Sequence, residues 1–206
     1  MLHFNCNEDY ILEDDFVRLS PLKMEHVDAL LDIAGEEDIW KYSFVKGDGP
    51  EQLRAYINAT LNNRNAGKDY PFVVFDKIQN QYAGSTRYYE IIPALNNLRI
   101  GYTWYGSSFR GTGLNKHCKY LLFDFAFRKM GVERIGLGAY IENERSIRAM
   151  ESVGCQKEGL LRGFLPAVEG EGRTDAIMLS ILKTDWEKGL KTQLENKLRR
   201  EQASFK

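Results

Sequence analysis

The stretch Ile100–Lys116, IGYTWYGSSFRGTGLNK, decides how the rest of the chain is read. Ile100–Tyr105 reads as a β-strand, a short polar turn follows, and Arg110-Gly111-Thr112-Gly113 opens directly into a helical pattern. Leu114, Cys118, Leu121, Leu122, Phe125 and Ala126 recur at i, i+4, i+7, i+8, i+11 and i+12, which is one face of a helix. A glycine-bearing junction of strand and helix exposes unpaired backbone N–H groups at the positive end of the helix dipole, where phosphate binds well. Alone, the Gly-Thr-Gly turn fits either a phosphate cradle or a plain tight turn. The surrounding chain has to choose.

On the N-terminal side, Pro93–Asn97 turns the chain into this strand, and Tyr82–Ile92 and Pro71–Lys77 form an antiparallel hairpin around the polar turn Ile78–Gln81. Two helices come before the hairpin. One carries Val27, Leu30, Leu31 and Ala34 and stops at Gly35; the other starts at Pro50-Glu51, carries Leu53, Ile57 and Leu61, and ends at Gly67. Phe16–Leu19 is a short strand halted by Ser20-Pro21, and residues 1–15 read as a polar lead-in. On the C-terminal side, basic Arg128 and Lys129 with Gly131 end the helix, and Arg134–Ile141 is a strand. Asn143 caps a helix with Ile147, Met150 and Val153 that closes at Gly154. Cys155–Phe164 and Thr174–Leu182 are strands joined by the loop Leu165–Arg173.

Trp186, Leu190, Leu194 and Leu198 recur every four residues in a tail (183–206) with seven Lys/Arg and four Asp/Glu. The tail is expected to be an amphipathic helix that packs back on the body or meets a partner chain. The expected organisation is a lead-in (1–15), one domain (16–182) and this C-terminal helix. Its order, strand, two helices, meander, then β–α–β–α–ββ, gives a mixed sheet with helices in the α/β to α+β range.

At 206 residues the chain can bury a proper core, and its 28 Lys+Arg against 29 Asp+Glu leave no basic field for nucleic acid. No apolar run approaches the roughly 18 residues needed to span a bilayer. Three scattered cysteines, Cys6, Cys118 and Cys155, suit a reducing compartment, so the cytoplasm is expected. His3, His26 and His117 lack metal-ligand spacing, so no metal site is expected, and His117 reads as a surface or edge residue. No nucleophile elbow is present, nor the GxxxxGK[ST] of a kinase-type phosphate loop, and the preceding meander does not fit a dinucleotide-binding first strand. Cys118 lies on the apolar stripe and reads as a small core residue.

These blocks, in this order and spacing, resemble the GNAT acyltransferase superfamily and, within it, the RimJ/RimL-like branch of ribosomal-protein N-terminal acetyltransferases. The matching stretches are VRLSPLKMEHVDALL (Val17–Leu31), the Tyr70–Tyr88 hairpin, IGYTW (Ile100–Trp104), FRGTGLNKHCKYLLFDFAF (Phe109–Phe127), the Asn143–Arg162 run and RTDAIMLSI (Arg173–Ile181). The resemblance implies a central mixed, mostly antiparallel sheet, splayed at the cofactor site and flanked by helices. It implies acetyl-CoA as cofactor and direct transfer to a primary amine within a ternary complex. The family's pyrophosphate signature maps to Arg110, Gly113 and Asn115, with Asn115 standing where Gly or Ala is usual.

By resemblance, Tyr102, Thr103 and Trp104 offer backbone groups to the pantetheine arm, one N–H polarising the thioester oxygen. Arg110, Gly111, Thr112, Gly113, Leu114, Asn115 and Lys116 hold the pyrophosphate. Asn143 touches the cofactor arm, and Ser146 is the catalytic proton donor to the leaving thiolate. For both, a plain helix cap is the alternative. The general base is open: Gly138 stands where relatives often place a Glu, Met150 replaces a tyrosine, and Glu90, Glu142 and a water-mediated route remain.

The acceptor is expected near the first two helices, the Ile92–Asn97 turn and the Leu165–Arg173 loop, which hold Trp40, Tyr42, Tyr89, Glu169 and Glu171. It could be a protein N-terminus or a small-molecule amine. Two other readings stand beside this one: a catalytically impaired CoA-binding or interaction module on the same fold, and a fold with no CoA function that uses its C-terminal leucine stripe for assembly, such as a homodimer.

Overall fold

In the strand β2 (Val17–Pro21), Val17, Leu19 and Pro21 are buried and alternate with partly exposed positions, as the period of a half-covered strand requires. It belongs to a computed structural model that describes residues 2–43 and 45–203 and divides into two compact units. Met1 and 204–206, the ends of the expected lead-in and tail, lie outside the described residues. Eight strands form a mixed sheet flanked by helices, the expected architecture.

The first unit covers 4–91 and 99–114. Its strands run in the order β1 (Leu12–Glu13), β2, β3 (Asp69–Asp76), β4 (Gln81–Ile92) and β5 (Asn97–Tyr105). The hairpin of β3 and β4 is antiparallel as expected, with Tyr70 opposite Tyr88 and Phe72 opposite Thr86. Its turn is fixed by Asp76, whose Oδ1 accepts from Ile78 N and Gln79 N at 2.8 Å each. The helices α1 (Val27–Ala34) and α2 (Pro50–Asn65) cover this sheet. Gly49 and Pro50 start α2 as their chemistry predicts, Pro lacking the N–H that a first turn leaves unpaired. Leu22, Val27, Leu30, Leu53 and Ile57 meet Val73 and Trp104 of the sheet in one core.

The lead-in is more structured than its polarity suggests. It carries β1, and Arg64 straps it down by donating to Cys6 O at 2.8 Å and to Asp9 Oδ1 at 2.7 Å.

The second unit covers 2–3, 92–98 and 115–203. It holds β6 (Arg134–Tyr140), β8 (Arg173–Leu182) and β7 (Gln156–Pro166) side by side in that order, all antiparallel. The helix α3 (Leu114–Phe125) runs on into a π turn, Ala126–Met130, and Gly131 ends it in the left-handed conformation at φ 76°. The helix α4 (Glu144–Ser152) follows β6.

The tail packs back on this unit. It forms a turn α5 (Lys183–Asp185), a π turn Trp186–Leu190 broken at Gly189 (φ 128°), and α6 (Lys191–Ala203). Trp186 is buried against Tyr120, Phe123 and Phe127, and Leu194 and Leu198 are buried too. Burial of each leucine contributes about 1.5–3 kcal/mol. Lys191 Nζ to Asp124 at 2.8 Å and Tyr120 Oη to Glu195 at 2.5 Å fix the register. The leucine stripe is therefore spent within its own unit rather than offered for assembly.

Candidate active site

Two features of the β4–β5 ridge set it apart from regular sheet. At Gly84, with φ 147°, a Cβ would lie 2.0 Å from the carbonyl oxygen of Trp104, so only glycine lets β4 come this close to β5. Two residues earlier in β5, Tyr102 sits at φ 49°, a left-handed conformation for a bulky residue inside a strand. Such a residue costs of order 1–3 kcal/mol and persists only when its surroundings over-determine it. Left-handed residues of this kind occur at β-bulges, where they turn local peptide groups off the regular ladder.

The surroundings of Tyr102 are specific. The Arg87 guanidinium lies 4.0 Å from its ring centroid, and Tyr89 meets it edge-on at 5.2 Å. Arg87, itself buried, donates to Asp69 Oδ2 at 2.8 Å and to Tyr56 Oη at 2.7 Å, and Asn63 Nδ2 donates to the same Asp69 oxygen at 3.1 Å. Burial pushes the Tyr102 phenol up, against the opposing pull of Arg87, and pushes Tyr89 up to about 12. Both phenols are therefore neutral near pH 7. Tyr102 and Thr103 present part of their surface, Thr103 sharing a 2.7 Å hydroxyl contact with Thr86, whereas Trp104 is buried against Trp40 and Tyr56, leaving its backbone for any ligand.

Asp69, Arg87 and Tyr56 escape a reading by periodicity, since their partners lie far apart in sequence. The available signal is the arginine set in the middle of Tyr82–Ile92, because an arginine in a sheet core needs a buried partner.

The junction after β5 has the expected form. Gly111 (φ 78°) and Gly113 (φ 90°) are left-handed, and the space a Cβ on Gly111 would occupy is open. Side chains here serve the loop: Thr112 Oγ1 donates to Phe109 O at 2.9 Å and accepts from Leu114 N at 3.4 Å, while Arg110 Nε donates to Tyr105 O at 3.1 Å. Leu114 is buried, and Asn115 and Lys116 are part-exposed in the first turn of α3. A left-handed glycine pair with open space beside Gly111, ahead of a twelve-residue helix, suits the N–H cradle that a pyrophosphate needs.

In the second unit, Asn143 caps α4 by accepting from Ser146 N at 3.1 Å. The capping role therefore holds for the Asn143 Oδ1, and Ser146 is half-buried one turn into the helix. Among the open base candidates, Glu142 accepts a hydrogen bond from Thr174 Oγ1, and Glu90, at φ 46°, lies 3.6 Å from Arg99. Met150 is a buried core residue of α4 and Gly138 faces Met178 across β8, so neither position offers a titratable group.

Two expectations are corrected, and one buried charge is new. His117 is buried, because α3 is covered on a wider arc than its apolar stripe. Trp40 is also buried, donating to Ala34 O at 2.8 Å, and is core rather than acceptor surface. Lys119 is buried in α3, and that burial lowers its pKa to about 8. Among the described residues no group of three or more His, Cys, Asp or Glu could hold a metal ion, and no helix is long and apolar enough to cross a membrane.

The model of the acetyltransferase (GNAT) domain matches residues 17–156. The N-acetyltransferase p20 of Bacillus licheniformis is 26% identical over 170 residues, covering 82% of this chain and 93% of p20. YdaF of Bacillus subtilis (strain 168), which carries a ribosomal N-acetyltransferase designation, is 28% identical over 138 residues, covering 67% of this chain and 68% of YdaF. A crystal structure of a GCN5-related N-acetyltransferase from Brucella melitensis is similar at a TM-score of 0.83 and 25% identity, covering 93% of this chain and 86% of that one. The chain belongs to the GNAT acetyltransferase family, N-acetyltransferases whose acetyl donor is acetyl-CoA.

Proposed function

We propose that the protein acetylates a primary amine at a protein N-terminus, in the manner of the RimJ/RimL-like branch, by direct attack within a ternary complex. The observation that carries this reading is the run from the left-handed Tyr102 to the left-handed pair Gly111 and Gly113 on one continuous strand–loop–helix. The designation of YdaF favours a protein N-terminus over a small amine.

Acetyl-CoA, when bound, supplies the acetyl group as an activated thioester. The chain's own groups do the rest. Backbone groups of Tyr102, Thr103 and Trp104 align the pantetheine arm, and an N–H there donates to the thioester oxygen, favouring the charge that develops on it. The N–H groups of Arg110–Lys116 hold the pyrophosphate, Lys116 adding positive charge. Asn143 positions the cofactor arm from the start of α4, and Ser146 donates a proton to the departing sulfur. Holding amine and thioester together supplies much of the rate, since effective molarities of oriented groups reach about 10⁵–10⁸ M.

The working organisation is a domain over 16–182 with its lead-in and C-terminal helix. Balanced charge and three free cysteines favour the cytoplasm. Incubation with acetyl-CoA and a panel of N-terminal peptides, polyamines and aminoglycosides, followed by mass spectrometry, tests the acceptor. Acetylation of peptides with a free N-terminus, lost when that amine is blocked, is expected. Acetylation of polyamines or aminoglycosides alone would overturn the N-terminal assignment.

A further inference from the structure

We propose that Arg87 is a positioning residue of the acetyl-CoA site: it fixes Tyr102 in the left-handed conformation that presents the β5 backbone to the thioester. The inference rests on the reading of β5 as the pantetheine strand. Tyrosine has no intrinsic reason to sit at φ 49°, so something must hold it there. The guanidinium 4.0 Å from its ring centroid is that something: a flat cation stacked on an aromatic face, attracted by the ring quadrupole.

Arg87 cannot swing away to relax the contact. One nitrogen is fixed on Asp69 at 2.8 Å and another on Tyr56 at 2.7 Å, with only 5% of the residue exposed. That same burial rules out Arg87 as a group that meets substrate. Tyr89 meets the ring at 5.2 Å with the two planes near perpendicular, and Gly101 makes room for it, since a Cβ there would lie 2.8 Å from the Tyr89 ring. A buried charged pair is costly to desolvate and adds little net stability over a well-packed apolar pair. Its value here is that it sets one backbone angle.

The test removes both charges at once, in Asp69→Asn/Arg87→Met, so that no carboxylate is left buried without a partner. Calorimetric affinities are measured for acetyl-CoA and for 3′-phosphoadenosine 5′-diphosphate, which carries the pyrophosphate but no pantetheine. The variant is expected to lose tenfold or more in acetyl-CoA affinity while holding the fragment within twofold. Adding Tyr102→Gly should recover acetyl-CoA affinity to within threefold of wild type, because glycine adopts φ 49° unaided.

Equal loss for both ligands, no loss for acetyl-CoA, or no recovery on adding glycine would each overturn the proposal. Should the paired variant fail to fold, Arg87→Lys with and without Tyr102→Gly gives the same comparison, because lysine keeps the charge for Asp69 but not the flat stack. Failure of the wild-type chain to bind acetyl-CoA would count against the functional reading itself, and is seen separately in the same titration.

Discussion

Gly84 and the carbonyl of Trp104 are so close that a Cβ on Gly84 would lie 2.0 Å from the oxygen. The contact fixes how β4 runs past β5 immediately before the loop that leads to Gly111 and Gly113. Gly84→Ala must push the Trp104 peptide aside or strain its own backbone at φ 147°. It should destabilise the fold by at least about 1–3 kcal/mol, as overpacking does, measured by urea unfolding. It should also weaken acetyl-CoA binding in whatever fraction remains folded.

Gly113, at φ 90°, tests the pyrophosphate cradle. Gly113→Ala and Gly113→Glu share the backbone strain, about 1–2 kcal/mol for an L-residue in the left-handed region, but only the glutamate brings a charge against phosphate. Titration calorimetry should show Gly113→Glu binding acetyl-CoA at least about tenfold more weakly than Gly113→Ala, a difference of about 1.4 kcal/mol. Equal affinities would place the pyrophosphate elsewhere.

Asn143 and Ser146 separate a structural from a chemical role. Asn143→Ala removes the cap on Ser146 N and should cost about 1 kcal/mol of stability. Ser146→Ala keeps the cap and should leave stability within about 0.5 kcal/mol. If Ser146 donates the proton to sulfur, its kcat should fall by about 10²-fold with little change in KM for acetyl-CoA.

Lys119 gives a pH signature. Burial lowers its pKa from 10.5 to about 8, so between those values the unfolded chain holds a proton that the folded chain has lost. The unfolded state binds more protons there, and this residue's contribution to stability therefore rises with pH through that window. Lys119→Met should abolish the rise and leave the protein more stable than wild type at pH 7. Urea unfolding of both proteins at pH 7 and pH 10 reads the difference.

Much of this architecture is legible in the sequence, because the signals are local. The Asn143 cap, the Pro50 helix start, the Ile78–Gln81 turn and the glycine pair each act on neighbours within a few residues. What escapes a sequence reading is long-range. Arg87 finds Asp69 and Tyr56 at separations of 18 and 31 residues, and only their assembly explains the backbone of Tyr102. The strapping of the lead-in by Arg64 is of the same kind, at a separation of 58 residues from Cys6. The wider burial of α3, which takes in His117 and Lys119, depends on elements that periodicity within the helix does not see.

This chain transfers acetyl from acetyl-CoA to an amine, as its family does. Release of free CoA thiol, followed with purified protein, acetyl-CoA and peptides bearing a free N-terminus, tests it most directly. Many thiols released per protein, dependent on the peptide and lost in Gly113→Glu, is the predicted result. Tight acetyl-CoA binding with no release on any amine would contradict it, and would make the chain a CoA-binding module on the same fold.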